Sequence, residues 1–194
     1  HVPNPWWFMS LDADTMAMPE AKEIPAFGEA GRNLLYVGRF RNYYDLTEAL
    51  NANLGASAAF GKAGREADES TGAMTSLGSR VYGTDLTLRW KNPRRAIYGS
   101  LFWQTEILWN QRDRIAASAL TTAGLFSHLE YQFARRWRTG VRYDWTESPA
   151  DRRDRETGGL AYVTFATSEF CRISLQGRRV WEDGAPIETV GFLK

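Results

Sequence analysis

The sequence predicts an all-β protein, an antiparallel up-and-down transmembrane β-barrel of which about nine strands are visible, as part of a larger barrel. Three observations predict this fold. Apolar and polar residues alternate with period two, the alternating runs reach about 10–14 residues where soluble strands average about 5–6, and short connections alternate with long ones. The 194 residues include 8 Trp, 8 Tyr, 10 Phe and 17 Gly, a composition that favours strands over helices.

The composition excludes several classes of function. A net charge of +1 argues against a nucleic-acid binder, while one Cys and two His leave no disulfide framework and little material for a metal or acid–base site. Mean hydropathy is −0.44 and no apolar run of about 18 residues encodes a transmembrane helix, but a β-barrel also averages out as hydrophilic. Because the first residues do not form a signal peptide, we expect a mature chain or a fragment.

The strands are expected in a simple chain order. The clearest one is 97–110, where Leu101, Trp103, Ile107 and Trp109 share one parity and polar residues dominate the other. Residues 1–31 are expected to form a loop or the remnant of a preceding strand, and residues 32–194 the barrel strands. Strands are predicted at residues 34–44, 51–62, 81–90, 97–110, 123–133, 137–146, 159–167, 170–181 and 187–194.

The connections are expected to differ between the two ends of the sheet, with short periplasmic turns and longer loops opposite, which is typical of outer-membrane barrels. Short connections are predicted at residues 45–49, 91–95, 134–136 and 166–169, and long polar loops at 64–78, 111–120, 147–158 and 182–186. A strand over 97–109, tilted by about 45°, covers roughly 28 Å, close to the hydrocarbon thickness of a bilayer. Aromatic residues expected at the lipid interface are Trp90, Phe133 and Trp137 at the short-turn rim and Trp109, Trp145 and Trp181 at the loop rim.

The opposite parity carries the residues that are expected to face a lumen. They are Arg39, Arg41, Asp85, Arg89, Glu106, His128, Glu130, Arg138, Arg142, Asp144, Arg172 and Arg178. Arginines outnumber carboxylates in this set, and in a pore such an excess favours anionic solutes. The alternative is a ladder of ion pairs that fills the interior, with Arg89, Glu106 and Glu130 on consecutive strands neutralising one another.

No catalytic residue, metal site or cofactor is predicted. His128 and Ser127 fall on opposite faces of one strand, so they cannot form a catalytic pair, and His128 is expected to be a hydrogen-bonded residue of the lumen. Cys171 is expected to face lipid or the interface near a short turn as a small apolar side chain. The charged stretch 151–156 either binds lipopolysaccharide phosphates or a partner, or is only solvated.

Several segments together resemble the C-terminal half of bacterial outer-membrane barrel proteins described as porin-like, phosphate-selective-porin-like or zinc-regulated TonB-dependent. These segments are 31–39 (GRNLLYVGR), 42–47 (NYYDLT), 82–91 (YGTDLTLRWK), 103–106 (WQTE) and 140–144 (GVRYD). The resemblance covers about residues 31–194 and implies an antiparallel barrel in the outer membrane, with a poorly defined substrate. Family chains are longer, and an odd strand count would place residues 1–31 outside the cell, so a partial barrel with missing strands is expected.

These expectations describe a bacterial outer-membrane protein that is not an enzyme and contacts outer-membrane lipid, not nucleic acid. Its expected role is porin-like, the passive passage of small solutes. One alternative is a structural barrel, plugged by its own side chains or by partner proteins, that anchors a surface or envelope-spanning complex. Another is a soluble β protein that binds a lipid, because alternation alone does not tell which face meets water. Other protein chains or further strands are expected to complete the barrel.

Overall fold

The fold of the chain is all-β, as the alternation predicted. The computed structural model describes residues 7–17, 27, 34–67, 72–94, 98–115, 117–148, 151–168, 170–182 and 185–193. Over these residues the backbone forms one ten-stranded sheet in which each strand is hydrogen-bonded to its neighbour in the sequence. The described part of the chain includes no helix of the length and apolarity needed to cross a membrane.

All the ladders are antiparallel, so the sheet is an up-and-down meander. The ladders of the described residues pair the first strand with the second alone and the last with the ninth alone, which makes these two the edges of the sheet. In chain order the strands are β1 (Trp7–Ala17), β2 (Leu34–Asp45), β3 (Leu50–Ala67), β4 (Met74–Lys91), β5 (Ser100–Arg114), β6 (Ala117–Ala134), β7 (Trp137–Glu147), β8 (Arg155–Ala166), β9 (Arg172–Glu182) and β10 (Ala185–Leu193).

Strand β1 lies in a region where the sequence suggested only a loop or a strand remnant. It pairs with β2 along its whole length, from Trp7 opposite Tyr44 to Ala17 opposite Leu34. Asp12 of this segment accepts a hydrogen bond from Arg41 of β2 at 3.0 Å, so its acidic side chain fits the sheet. With β1 included, the strands of the described residues are even in number, and β1 starts at the rim where β10 ends.

Two of the predicted long loops are largely strand. β3 and β4 are 18 residues each, and their pairing continues to Ala67 opposite Met74. β5 and β6 pair until Arg114 opposite Ala117, so the predicted loops at 64–78 and 111–120 are wrong in extent. A ladder of backbone hydrogen bonds does not require apolar side chains, and it therefore extends through polar sequence once the hairpin has formed. Both hairpins carry a bulge near the tip.

The register separates the residues of the sheet into two faces. The polar face comprises the odd-numbered residues of β2, β3 and β4 and the even-numbered residues of β1 and β5 to β10; the apolar face comprises the others, away from the bulges. Directly opposite residues on neighbouring strands share a face. One row of the polar face therefore runs through Asp85, Glu106, Phe126 and Asp144.

The described residues form almost no buried hydrophobic core. Its buried hydrophobic side chains are Ala52, Ala63, Leu77 and Val180. Most large hydrophobic side chains are instead exposed on the apolar face, where Leu11 is 79% exposed, Leu175 65% and Val141 53%. A face of this kind is stable only when it is covered by another apolar surface or medium.

Candidate functional site

The polar face contains every residue that the sequence predicted to face a lumen. The register places on it Arg39, Arg41, Asp85, Arg89, Glu106, His128, Glu130, Arg138, Arg142, Asp144, Arg172 and Arg178. Ser127 lies on the other face, where its hydroxyl accepts a hydrogen bond from Trp103 Nε1 at 2.9 Å. Ser127 and His128 are therefore separated by the sheet.

The predicted interface aromatics occupy the apolar face in two rows. One row lies at the rim with the β6–β7 turn, where the Trp137 ring lies 4.7 Å from Phe165 and 6.4 Å from Phe133, measured between ring centroids. In the other row Trp145 is opposite Thr157, which is in turn opposite Trp181. The rows are composed of Trp90, Phe133 and Trp137 at the first rim and Trp109, Trp145 and Trp181 at the second.

An ion pair on the polar face joins strands that are not neighbours. Arg39 of β2 donates a hydrogen bond from Nη2 to Asp85 Oδ1 of β4 at 2.9 Å, across Gly55 of the intervening β3. Gly55 is directly opposite Asp85, and a Cβ at this position would overlap the Asp85 carboxylate. The absence of a side chain on Gly55 is therefore what allows the link.

A second link of the same design crosses β7. Tyr162 of β8 lies over Gly140, which is directly opposite, and its hydroxyl donates a hydrogen bond to Glu130 Oε2 of β6. The same hydroxyl is 3.0 Å from His128 Nε2, while Arg138 Nη1 is 3.5 Å from Glu130 Oε1. The four side chains form one network, and aromatic rings commonly cover a cross-strand glycine in this way.

Sequence reasoning missed Tyr162 because it was assessed strand by strand. The available indication was a glycine on the polar parity of 137–146, with a tyrosine on the polar parity of the next strand. Only the register shows that the two positions are opposite each other. The link is therefore a product of strand alignment and not of a local motif.

The predicted mutual neutralisation of Arg89, Glu106 and Glu130 is wrong. In the register Phe102 stands between Arg89 and Glu130, and the Arg89 guanidinium lies over its ring at 5.6 Å from the centroid. Glu106 is opposite Asp85, which already pairs with Arg39. The observed ion pairs of the polar face join other residues, namely Arg39 with Asp85, Arg41 with Asp12, Arg138 with Glu130 and Arg142 with Asp144.

The polar face contains a cavity of about 540 Å³ over β5 to β9. Its lining combines charged and apolar groups, among them Glu106, Leu108, Phe126, Arg142, Leu160 and Arg178. Gly124 and Gly158 also line it. The lining of this cavity therefore carries both signs of charge.

Glu147 anchors the connection that follows β7, and sequence reasoning did not find it. Its side chain is only 4% exposed and accepts a hydrogen bond from the backbone N–H of Ala123 at 3.0 Å. Arg152 Nε and Arg155 Nη2 lie 3.3 and 3.7 Å from Glu147 Oε1. These two arginines of the charged stretch 151–156 are thus engaged within the chain, which favours a structural role for the stretch.

Cys171 lies near a short turn, as predicted, and its contact with lipid stays a prediction. It is exposed in the connection between β8 and β9, where its carbonyl oxygen accepts hydrogen bonds from the N–H groups of Thr167 and Ser168 at 3.0 and 3.2 Å. The residue lines a small pocket together with several arginines. Its surroundings are polar because the turn exposes the position where an apolar strand was predicted to begin.

Comparison with protein-family models, with curated proteins and with solved structures found no match for the chain. The resemblance to outer-membrane barrels therefore stays a prediction from the quoted segments.

Proposed function

We propose that the chain forms the wall of a bacterial outer-membrane β-barrel whose polar face lines a passage for small solutes. The apolar face contacts lipid, and the barrel closes through its edge strands β1 and β10, either with each other or with further strands. The passage is passive and porin-like, and Arg89, Arg172 and Arg178 contribute to a mild preference for anions.

The observation that carries the proposal is the exposure of the apolar face. Rows of Leu, Val, Ile and aromatic side chains lie outside any protein core, while charged side chains share the opposite face. In water such a sheet would aggregate or need a covering partner, whereas in a bilayer the same pattern is the expected one. Alternation of this kind along most of the strands favours a barrel wall over a local docking patch.

The strand lengths support a bilayer as the covering medium. On β5 the apolar face runs from Leu101 to Trp109 and then continues with Gln111, so the apolar belt ends at the tryptophan. An 18-residue strand such as β6, tilted by about 45°, spans about 40 Å. Because the hydrocarbon core is ~30 Å thick, the tips of the β3–β4 and β5–β6 hairpins project beyond the membrane.

The ion pairs that cross strands support a second candidate, a plugged barrel that anchors a surface complex. The Arg39–Asp85 link and the Tyr162 network lie flat on the polar face and occupy space that a wide pore would leave to water. Small barrels are filled by side chains in this way. A closed barrel of ten strands would be near this limit, whereas one enlarged by further strands would leave an aqueous channel.

Conductance in a planar bilayer tests the proposal. The detergent-refolded protein is expected to give steady conductance steps and to change its gel mobility on boiling. Glu106→Gln, on the polar face, is expected to shift the reversal potential toward anions, while Glu48→Gln, in the β2–β3 turn, leaves it unchanged. Membrane-inserted protein without conductance would support the anchor instead, and protein that is monodisperse in buffer without detergent would overturn both.

A further inference from the structure

The cavity of about 540 Å³ on the polar face has an unpaired charge of each sign on the two outermost strands of its lining. Glu106 of β5 and Arg178 of β9 both line it, and within the ranges that the structure describes neither makes an ion pair. Strands β6, β7 and β8 lie between them. A carboxylate on one side and a guanidinium on the other are thus both free to contact a solute.

Glu106 is placed where its negative charge is unfavourable without a cationic partner. It is half-buried and directly opposite Asp85 of β4, whose carboxylate already pairs with Arg39. Like charges directly opposite each other on neighbouring strands destabilise a sheet. On its other side stands the apolar ring of Phe126. Because the described residues include no group of three or more His, Cys, Asp or Glu placed to hold a metal ion, the cation that suits Glu106 is an ammonium group.

The other arginine of the cavity is already engaged. Arg142 donates hydrogen bonds to both carboxylate oxygens of Asp144 at 2.6 to 2.9 Å, and its guanidinium lies over the Phe126 ring at 4.9 Å from the centroid. These contacts neutralise the pair, which then forms a wall of the cavity. Of the two arginines that line the cavity, Arg178 is therefore the one that can bind an anionic group of a solute.

Apolar side chains line the cavity beside these two charges. Leu108 belongs to the polar face, two residues from Glu106 on β5, and is 39% exposed. Leu160 of β8 is directly opposite Arg178. Apolar surface on a face that meets water is unfavourable, and an apolar group of a ligand would remove it from water. The cavity thus combines an acidic side, a basic side and apolar contacts.

We propose that this cavity binds a short zwitterionic peptide, with its ammonium group at Glu106, its carboxylate at Arg178 and an apolar side chain against Leu108 and Leu160. This role rests on the proposed function, because the passage is the peptide's route to the polar face. Four steps of ~4.8 Å between strands separate the backbones of Glu106 and Arg178 by roughly 19 Å along the sheet. An extended peptide, which gains ~3.3–3.6 Å per residue, fits this separation better than a single amino acid, whose two charged groups share one carbon atom.

Calorimetry of the full chain in neutral detergent with the peptide Gly-Leu-Gly tests the proposal. The N-acetylated peptide lacks the ammonium group and is expected to bind about tenfold more weakly. The C-amidated peptide is expected to bind about threefold more weakly, since Arg178 is exposed and exposed ion pairs contribute less. Triglycine has the same charges without the apolar side chain and is expected to bind a few fold more weakly. These comparisons use the unaltered protein and do not depend on the folding of a variant.

Variants then assign each charged group of the peptide to its residue. Glu106→Gln is expected to abolish the difference between the free and N-acetylated peptides, and Arg178→Gln the difference between the free and C-amidated ones. The matched control is Arg179→Gln, on the same strand but the opposite face, where the guanidinium lies over Trp181. It is expected to bind each peptide as the parent does. An effect of acetylation that persists in Glu106→Gln, or a parent that does not prefer the zwitterionic peptide, would overturn the proposal.

Conductance in a planar bilayer separates the peptide site from the passage. Binding of Gly-Leu-Gly by protein that inserts into the bilayer without conductance would support the site and overturn the passage. Steady conductance by protein that binds none of the peptides would support the passage and overturn the site. Glycine that binds as tightly as Gly-Leu-Gly would also overturn the peptide assignment, because it would show that contact with both charged residues is not required.

Discussion

Glycines on the polar face act through the space they leave and not through unusual backbone conformation. Gly55 and Gly140 are absent from the described glycines with positive φ, which are Gly72 and Gly99. Each nevertheless lies under the side chain of the residue opposite, Asp85 and Tyr162 respectively. The Arg39–Asp85 link and the Tyr162–Glu130 link, which each span three strands, therefore require a glycine on the middle strand.

Gly140→Ala is expected to destabilise the protein by ~1–3 kcal/mol, because the new methyl group overlaps the Tyr162 ring and forces it away from Glu130. The matched control is Gly177→Ala on β9, where an added Cβ meets no atom within 4 Å and the cost stays within about 0.5 kcal/mol. Urea unfolding in detergent, followed by tryptophan fluorescence, measures both. Equal effects of the two substitutions would show that space over Gly140 does not matter.

At the scale of strands, the sequence predicted the two faces but not the alignments between strands. Period-two alternation is a property of each strand alone, so the polar placement of Arg39 or Glu130 follows from parity. The partner of a charged residue depends on register, and for that reason the Arg89 contact with Phe102 and the Tyr162 link were out of reach.

Strand ends were harder to predict than strand interiors, since polar residues continue a hairpin ladder as readily as they form a loop. The tips of β3–β4 and β5–β6 show this. The small pocket lined by Arg135, Arg136, Arg138 and Arg172 was missed for a related reason. It combines the β6–β7 turn with the β8–β9 connection, and only the sheet brings them together.

A substitution in the middle of β6 distinguishes lipid from water at the apolar face. Leu129 is 40% exposed, so Leu129→Arg would be nearly neutral if water covered it. In a bilayer the same change is expected to cost about 2–4 kcal/mol. The control is Gln104→Arg on β5, a polar-face position opposite His128, for which a small effect is expected.

Stability of the two arginine variants is measured as the fraction folded in lipid vesicles against urea. A loss confined to Leu129→Arg supports the lipid-facing assignment. Similar behaviour of the two variants, or a larger loss with Gln104→Arg, would mean that the faces are assigned the wrong way round.

For the whole molecule, the up-and-down order of the strands places successive connections at alternate rims of the sheet. The β2–β3, β6–β7 and β8–β9 connections share a rim with the start of β1, and the hairpin tips of β3–β4 and β5–β6 share the opposite one. The first rim has the pocket lined by Arg135, Arg136, Arg138 and Arg172, and the second has the longer hairpins. A membrane orientation therefore assigns each feature to one compartment.

Cys171, the one cysteine of the chain, reports that orientation. Expressed in a bacterial outer membrane, it is expected to resist a membrane-impermeant maleimide in intact cells and to react once the outer membrane is permeabilised, because short turns face the periplasm. Cys171→Ser with Asp154→Cys moves the thiol to the other rim and is expected to react in intact cells. Gel-shift labelling measures both, and the reverse pattern would invert the orientation.

The neighbour-only pairing of the ladders has a consequence for how the sheet forms. Each strand needs only the strand just before it as a template, so assembly can advance hairpin by hairpin, with the short loop closures that favour fast folding. Pulled from one end, the sheet would come apart in the same units, one strand peeling from the next while the remainder keeps its register.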